Sequence, residues 1–207
     1  MKLTAEHQSA LTELLTWRRD VRHFKRDAIA PELLGRIKGA VDFAPSVGNS
    51  RPWRMVQVTS AGGREAIIEA FEASNQQAGA LYDSDTRKDY EALKLAGLRE
   101  APVILAVFTE PDPAAGRGLG RQTMPETLAY STVMAIHTLW LFCRSHNVGV
   151  GWVSILDPDA VTKALDVPDH WSLTAVLCLG YPAEEHDTPE LHRAGWQADT
   201  KSEWLER

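Results

Sequence analysis

The sequence has only two cysteines, no C-x-x-C pair and no hydrophobic run long enough to span a bilayer. Cys143 and Cys178 each lie inside an apolar segment, which predicts two buried, reduced thiols. The longest apolar stretch, 133–143, is interrupted by His137 and Thr138 and is too short for a membrane helix. The first residues also lack the apolar core of a signal peptide, so we expect a soluble, cytoplasmic protein.

An excess of basic charge is also missing, since the net charge is −6 over 207 residues. Binding to the backbone of DNA or RNA is therefore not expected, and a local basic cluster must serve a small anion. The seven histidines show no metal-ligand spacing with cysteines or carboxylates, so we predict no metal site. With 44% hydrophobic residues, no repeats and no linker, we expect one domain over 1–207, with 182–207 as an extended arm.

The order of the predicted elements indicates an α+β fold in which helices flank a central sheet. Apolar residues at third and fourth spacing, as in Leu11, Leu14 and Leu15, predict helices, and a continuous apolar segment such as 103–108 predicts a strand covered on both faces. The predicted helices span about 5–17, 31–43, 62–78, 83–98, 124–147 and 158–166. The predicted strands span about 54–59, 102–109, 150–155 and 173–180.

The helix predicted over 124–147 is apolar on almost every side. Such a helix lies in the centre of a protein or at a subunit interface. An obligate dimer supplies the second surface that buries it. We therefore expect a homodimer.

Arg18, Arg19 and Arg22 fall within five residues at the end of the first predicted helix, together with Asp20. Three guanidiniums this close repel one another unless an anion lies among them, and the arginine fork binds phosphate oxygens bidentately. The segment therefore predicts a phosphate site. A solvated charge cluster at a helix end explains the same residues, so this segment alone leaves the choice open.

The segment from Ala44 to Trp53 consists of small and polar residues between a helix-ending proline and a strand. Small residues let backbone amides approach a flat ligand closely. Ser46 and Asn49 offer side-chain hydrogen bonds, while Pro52 and Trp53 fix the loop. An ordinary helix-to-strand connection has a similar composition, and that alternative also stays open for this segment alone.

Together, the R-R-x-x-R and A-P-S-x-x-N-x-x-P-W segments resemble the flavin-binding signature of the nitroreductase family. The resemblance covers nearly the whole chain, including the late strand that starts at Gly149 and the C-terminal arm. It implies an FMN-dependent fold with a central mixed sheet flanked by helices, and an arm exchanged in a homodimer. In that family the arginines hold the phosphate and ribityl chain of FMN, and the Pro-Ser…Asn loop lies along the isoalloxazine ring.

Further segments resemble one branch of that family, the flavin-destroying 5,6-dimethylbenzimidazole synthases. These segments are 120–127 before the long helix, 151–158 at the end of a strand, and 190–196 in the arm. The branch is also indicated by Ser154 and by Asp20, where general nitroreductases usually carry Ser. Arg51 departs from the pattern, because much of the family has Gln before Pro-Trp, and it adds a charge near the flavin edge.

The resemblance implies that reduced FMN is the substrate. Its O₂-dependent fragmentation gives 5,6-dimethylbenzimidazole, the lower ligand of cobalamin, and D-erythrose 4-phosphate, with electrons from NAD(P)H supplied by a separate flavin reductase. Two other functions are considered: an NAD(P)H-dependent FMN nitroreductase, which does not need Asp20, and a flavin-binding protein without catalysis. The residues that the resemblance places against the flavin are Arg18, Arg19, Asp20, Val21, Arg22, Ser46, Gly48, Asn49, Pro52, Leu98, Ser154, Ile155 and Arg193.

Asp20 and Ser154 are the predicted catalytic residues. Breaking a ribityl carbon–carbon bond requires removal of a hydroxyl proton, which a carboxylate beside that chain accepts. The neighbouring arginines are expected to lower the pKa of Asp20 and keep it ionised. Ser154 is predicted to donate to a flavin ring nitrogen or peroxide, and Arg193 to reach the phosphate. The alternatives are a spacer among arginines for Asp20, a cap of the helix after Pro158 for Ser154, and a surface position for Arg193.

Overall fold

A four-stranded sheet separates two layers of helices in the computed structural model, which describes residues 2–93 and 96–207. The strands are β1 (Trp53–Gln57), β2 (Val103–Thr109), β3 (Gly149–Val153) and β4 (Ser172–Gly180). They follow the order β1-β2-β4-β3, and every neighbouring pair is antiparallel. β2 is buried along its whole length because helices cover both faces of the sheet.

Helices α2 (Pro31–Ala40) and α6 (Thr127–Ser145) pack on one face of the sheet, and α3 (Ala61–Gly79) and α7 (Pro158–Ala164) pack on the other. Their starts follow local signals: Pro31 occupies the first turn of α2, and the Asp157 carboxylate caps α7. The remaining α-helices are α1 (Ala5–Trp17), α4 (Ser84–Ala92), α5 (Gly97–Glu100) and α8 (Glu190–Arg193).

The α+β arrangement is as predicted, but the sheet was predicted to be mixed, and its four strands are instead paired antiparallel. In the described part of the chain, the parallel pairing outside the four strands is an isolated bridge between Asp20 and Val150. Continuous apolar strands result from coverage of both faces, and antiparallel strands can be covered in this way as well as parallel ones.

The helix predicted over 83–98 is wrong in its extent. α4 ends at Ala92, and α5 begins at Gly97; residues 94 and 95, which the prediction also included, lie outside the described residues. Packing overrides the helical pattern here: α4 is charged and largely exposed, whereas Gly97 and Leu98 are buried beside Phe24 and Cys178.

α6 is apolar on nearly all sides, but the chain buries only part of it. Ile136 and Leu139 are fully buried in the core. Tyr130, Val133 and Met134 remain 56%, 41% and 44% exposed. We call these three side chains the exposed face of α6, and this single chain leaves that face in contact with solvent.

The C-terminal arm, 182–207, is partly docked on its own chain. The Arg19 Nε donates a hydrogen bond to the Asp187 carbonyl oxygen at 2.8 Å. The Trp196 ring packs edge-on against Tyr82, with centroids 5.7 Å apart. Every residue after Trp196 is exposed. Exchange of the arm between subunits stays a prediction.

Both cysteines are buried and unbonded, as predicted. Burial raises the pKa of Cys143 and of Cys178 to about 12, so both thiols stay protonated at neutral pH and are inert. Within the ranges that the structure describes, no helix has both the length and the apolar character needed to cross a membrane.

Candidate active site

A cavity of about 660 Å³ lies at the end of α1, between residues 17–24, the end of α6 and the C-terminal arm. Arg18, Arg19 and Arg22 line it, and the arm contributes Arg193. Arg144, near the end of α6, also lines the cavity, so folding gathers five guanidiniums around one space. Such a set suits a phosphate, because each arginine keeps its charge and offers several donors.

Asp20 and Val21 are held on the open edge of β3 by two hydrogen bonds. The Val21 N–H donates to the Val150 carbonyl at 3.1 Å, and the Trp152 N–H donates to Oδ1 of Asp20 at 2.9 Å. Gly151 lies between these contacts, and a Cβ there would overlap the carbonyl oxygen of Val21. This role of Gly151 was not predicted from the sequence, although a glycine inside a strand, as in Gly149-Val150-Gly151, signals such a close backbone approach.

Arg22 is largely buried, with 11% of its side chain exposed. Its Nε lies 3.6 Å from Oδ2 of Asp20 and 3.6 Å from Oε2 of Glu190, too far for hydrogen bonds. Within the described residues, its buried Nε and Nη1 have no hydrogen-bond partner. A buried N–H without an acceptor costs roughly 1–3 kcal/mol. A ligand oxygen that accepts from Arg22 would remove that cost.

The pKa of Asp20 is raised, whereas the sequence predicted that it would be lowered. Partial burial is the largest cause, with 39% of the Asp20 side chain still exposed in the single chain. The charge of Glu190 adds to it, and the Trp152 N–H and Arg22 act in the opposite direction. The prediction counted the adjacent arginines and missed both desolvation and a second carboxylate that folding brings in from the arm. A carboxylate with a raised pKa is a stronger proton acceptor in its ionised form.

A second cavity, of about 20 Å³, adjoins the first at Asp20, Val21 and Arg22. Leu98 of α5 lines it, as does the β3 backbone around Gly151. The predicted flavin contact Leu98 therefore lies beside the arginine segment, although 76 residues separate Leu98 from Arg22 in the chain.

Ser154 and Ile155 follow β3 directly. Ser154 is exposed, while Ile155 is partly buried against the core. As far as the described residues show, neither lines the two cavities. The alternative of Ser154 as a helix cap is wrong, because the Asp157 carboxylate accepts the capping hydrogen bond from the Asp159 N–H at 3.0 Å.

The loop 46–52 lies away from the arginine cavity. The Val47 N–H donates to Ser131 Oγ near the start of α6 at 3.0 Å. Arg18 instead stacks on Trp140, nine residues further along the same helix, 5.0 Å from the ring centroid. Nine residues of α-helix span about 14 Å.

Four loop residues predicted to contact the flavin are thus not brought to the arginines within one chain. Over the described ranges, neither cavity is lined by Ser46, Gly48, Asn49 or Pro52. The loop itself has a defined shape, because Gly48 has a φ of 56° and a Cβ there would approach the Leu119 carbonyl to 2.8 Å. The guanidinium of Arg51 pairs with Asp42 at 3.3 Å.

The sequence profile of the nitroreductase family matches residues 15–181. A 5,6-dimethylbenzimidazole synthase of Rhodobacter capsulatus is 50% identical over 207 residues, covering 100% of each chain. A protein of the same name from Rhodospirillum rubrum is 53% identical over 191 residues, which are 92% of this chain and 90% of that protein.

Solved structures share the fold. Oxidized iodotyrosine deiodinase bound to FMN and 3-iodo-L-tyrosine has a TM-score of 0.73 and 22% identity, over 95% of this chain and 97% of that chain. A nitroreductase with bound FMN from Desulfitobacterium hafniense has a TM-score of 0.64 and 20% identity, over 84% of this chain and 90% of that chain. At these identities the likeness shows the fold alone, and it confirms the predicted fold class.

Proposed function

Because the chain belongs to the nitroreductase family, and within it to the 5,6-dimethylbenzimidazole synthases, we propose that it fragments reduced FMN with O₂. The products are 5,6-dimethylbenzimidazole and D-erythrose 4-phosphate, and a separate flavin reductase supplies the electrons from NAD(P)H. The observation that carries the proposal is the Asp20 carboxylate inside a cavity lined by five arginines. A carboxylate opposes phosphate binding there, so its position supports a role in proton transfer.

The residues present fit FMN. Arg18, Arg19 and Arg193 hold the phosphate, and the two unpartnered N–H groups of Arg22 donate to a flavin oxygen. When bound and reduced, FMN supplies the electrons for O₂ and the carbon skeleton of the product. The arginine contacts orient it and keep its ribityl chain beside Asp20.

Asp20 acts as the general base. The Trp152 N–H holds Oδ1, which leaves Oδ2 on the side of Arg22 to accept a ribityl hydroxyl proton. The raised pKa of Asp20 strengthens this acceptor, and Arg22 keeps the carboxylate oriented. Ser154, which is exposed just after β3 and lines neither cavity of the single chain, would be the second catalytic residue, donating to a flavin ring that extends beyond the arginine cavity.

The decisive experiment is aerobic incubation of the protein with reduced FMN, followed by mass analysis of the products. The proposed function gives loss of flavin with 5,6-dimethylbenzimidazole and a four-carbon sugar phosphate. Reoxidised FMN, with reduction of a nitro compound at the expense of NAD(P)H, identifies a nitroreductase instead. Plain reoxidation, without product in either assay, identifies a flavin-binding protein.

We expect a homodimer with two FMN sites between the subunits. A second copy would cover the exposed face of α6 and bring its loop 46–52 to the arginine cavity. Sedimentation at micromolar concentration should show twice the 22.9 kDa chain mass. Val133→Asp, on the exposed face, should dissociate the dimer and weaken FMN binding, whereas Ala73→Asp, on the exposed side of α3, should do neither. A stable monomer of the parent protein contradicts this expectation.

Arg22→Ala is expected to weaken FMN binding by roughly 10- to 150-fold, the equivalent of a charge-assisted hydrogen bond of about 1.5–3 kcal/mol. Turnover of bound flavin should change less, because a contact made equally before and during the reaction affects binding alone. Flavin fluorescence titration measures the affinity. Arg36→Ala is the control, because the exposed Arg36 interacts with His146 outside the cavity. An unchanged affinity of Arg22→Ala would show that the cluster does not bind FMN.

A further inference from the structure

Glu190 lies on the side of the arginine cavity formed by the C-terminal arm, and the reaction proposed above gives it no role. Its Oε2 is 3.6 Å from Nε of Arg22, and Oδ2 of Asp20 is 3.6 Å from the same nitrogen. One largely buried guanidinium nitrogen is therefore flanked by two carboxylates. Neither carboxylate is close enough to make a hydrogen bond to it.

A mechanical role for Glu190 does not account for this arrangement. The arm is also held by the hydrogen bond from Arg19 to the Asp187 carbonyl and by the packing of Trp196 on Tyr82. Like Glu100, Glu184 and Glu185, which also line the cavity, Glu190 opposes the binding of a phosphate there. The arm therefore has attachments that do not involve Glu190.

The charge of Glu190 acts on Asp20. A negative charge near a carboxylate disfavours the ionisation of that carboxylate, and Glu190 is one cause of the raised pKa of Asp20. The other groups whose charge interacts with Asp20 are Arg22, Arg18 and Cys178. The same cavity is also lined by the ionisable side chains of Arg19, His23, Glu100, Arg144, Glu184, Glu185, His186 and Arg193. Arg22 and Arg18 act in the opposite direction, and the Cys178 thiol is neutral because burial raises its pKa to about 12. The charge of Glu190 therefore adds to the effect of burial, which is the larger cause of the raised pKa of Asp20.

We propose that Glu190 is a positioning residue that orients Arg22 against Asp20 and, through its charge, makes Asp20 a stronger proton acceptor. This inference rests on the proposed function, in which Asp20 is the base. It assigns the C-terminal arm a part in the chemistry as well as in phosphate binding.

Glu190→Gln tests the proposal, because glutamine keeps the shape and removes the charge. We expect the acid limb of the pH–rate profile for benzimidazole formation to move to lower pH. The plateau rate should fall by less than the 10²-fold minimum typical of losing a general base. FMN should bind as tightly as to the parent or more tightly. Glu190→Asp keeps the charge and should retain the parent's pH profile.

A second measurement does not depend on turnover. As pH rises, ionisation of Asp20 should repel the phosphate and lower the affinity for oxidised FMN. In Glu190→Gln this fall should begin at lower pH, and in Asp20→Asn it should be absent. The titration of the phosphate itself is common to all three proteins and cancels in the comparison.

The two measurements separate the failure of the inference from the failure of the proposed function. If the parent protein makes no benzimidazole, the proposed function is wrong, and the pH dependence of FMN binding still decides whether Glu190 acts on Asp20. If the parent is active but the pH profile of Glu190→Gln superimposes on it, the inference fails alone. A Glu190→Gln variant that binds FMN more weakly than the parent also overturns the inference, since Glu190 would then hold the arm or the flavin directly.

Discussion

Asp20→Asn should abolish the formation of 5,6-dimethylbenzimidazole while FMN still binds. Asparagine has the same size, and its Oδ1 can still accept the hydrogen bond from the Trp152 N–H, so the segment stays in place. The variant lacks the base, whose loss typically lowers a rate by roughly 10²–10⁴. Product analysis after aerobic turnover should therefore find reoxidised flavin and little or no benzimidazole.

Asp27→Asn is the matched control, because Asp27 is exposed on the same segment. The FMN affinity of Asp20→Asn should equal or exceed that of the parent, since a negative charge near the phosphate is removed. Benzimidazole formation near the parent rate would show that Asp20 is a spacer among the arginines. Loss of FMN binding would give Asp20 a structural role and move the proton transfer to Ser154 or to the flavin itself.

The raised pKa of Asp20 predicts how the activity of the parent and the relative stability of Asp20→Asn depend on pH. The parent's rate should fall as the pH drops through that raised pKa, because the base becomes protonated. Burial favours the protonated side chain, so its contribution to stability is fully present below the pKa of the unfolded chain and is lost as pH rises through the folded pKa. Asp20→Asn should therefore gain stability over the parent at neutral pH but not in acid, which thermal unfolding at two pH values measures.

Gly151→Ala should disrupt the site although it adds only a methyl group to a strand. That methyl meets the backbone carbonyl of Val21, which cannot rotate away as a flexible side chain can. Overpacking of this kind typically costs about 1–3 kcal/mol. Relief requires the segment to lift from β3 and carry Asp20 and Arg22 with it. We expect a lower melting temperature, weaker FMN binding and loss of benzimidazole formation.

Gly39→Ala is the control for that substitution. A Cβ added at Gly39 in α2 meets no atom within 4 Å, and replacing a helical glycine by alanine typically stabilises by about 0.4–1 kcal/mol. The melting temperature should therefore fall in Gly151→Ala and rise slightly in Gly39→Ala. The FMN affinity should fall in Gly151→Ala alone. A Gly151→Ala variant with the parent's activity would show that the segment over β3 shifts without consequence.

The sequence alone predicted the elements that have strong local signals. The third-and-fourth spacing of Leu11, Leu14 and Leu15 correctly predicted α1, and the continuous apolar segment 103–108 correctly predicted β2. The three clustered arginines were also predictable, because they are close in the chain. The break between α4 and α5 was not, because it depends on the burial of Gly97 against Phe24.

The site contains contacts that no spacing in the sequence reveals. The sign of the pKa shift of Asp20 depends on desolvation and on Glu190, which the arm brings to Arg22 from the far end of the chain. The separation of the loop 46–52 from the arginines was likewise invisible, since the resemblance gives the residues around a flavin without saying which copy of the chain provides them.

The Asp20–Val21 segment also covers part of the open edge of the sheet. β3 is an edge strand, and the unpaired backbone groups of such a strand can recruit a strand from another molecule. Here the Val21 N–H donates a hydrogen bond to the Val150 carbonyl, and the Trp152 N–H donates one to the Asp20 carboxylate. Asp20, the proposed base, therefore also accepts the hydrogen bond from an edge-strand N–H. Asp20→Ala would leave the Trp152 N–H without this acceptor, whereas Asp20→Asn keeps it. Inactive variants at this single position will differ in how readily their sheets add a foreign strand.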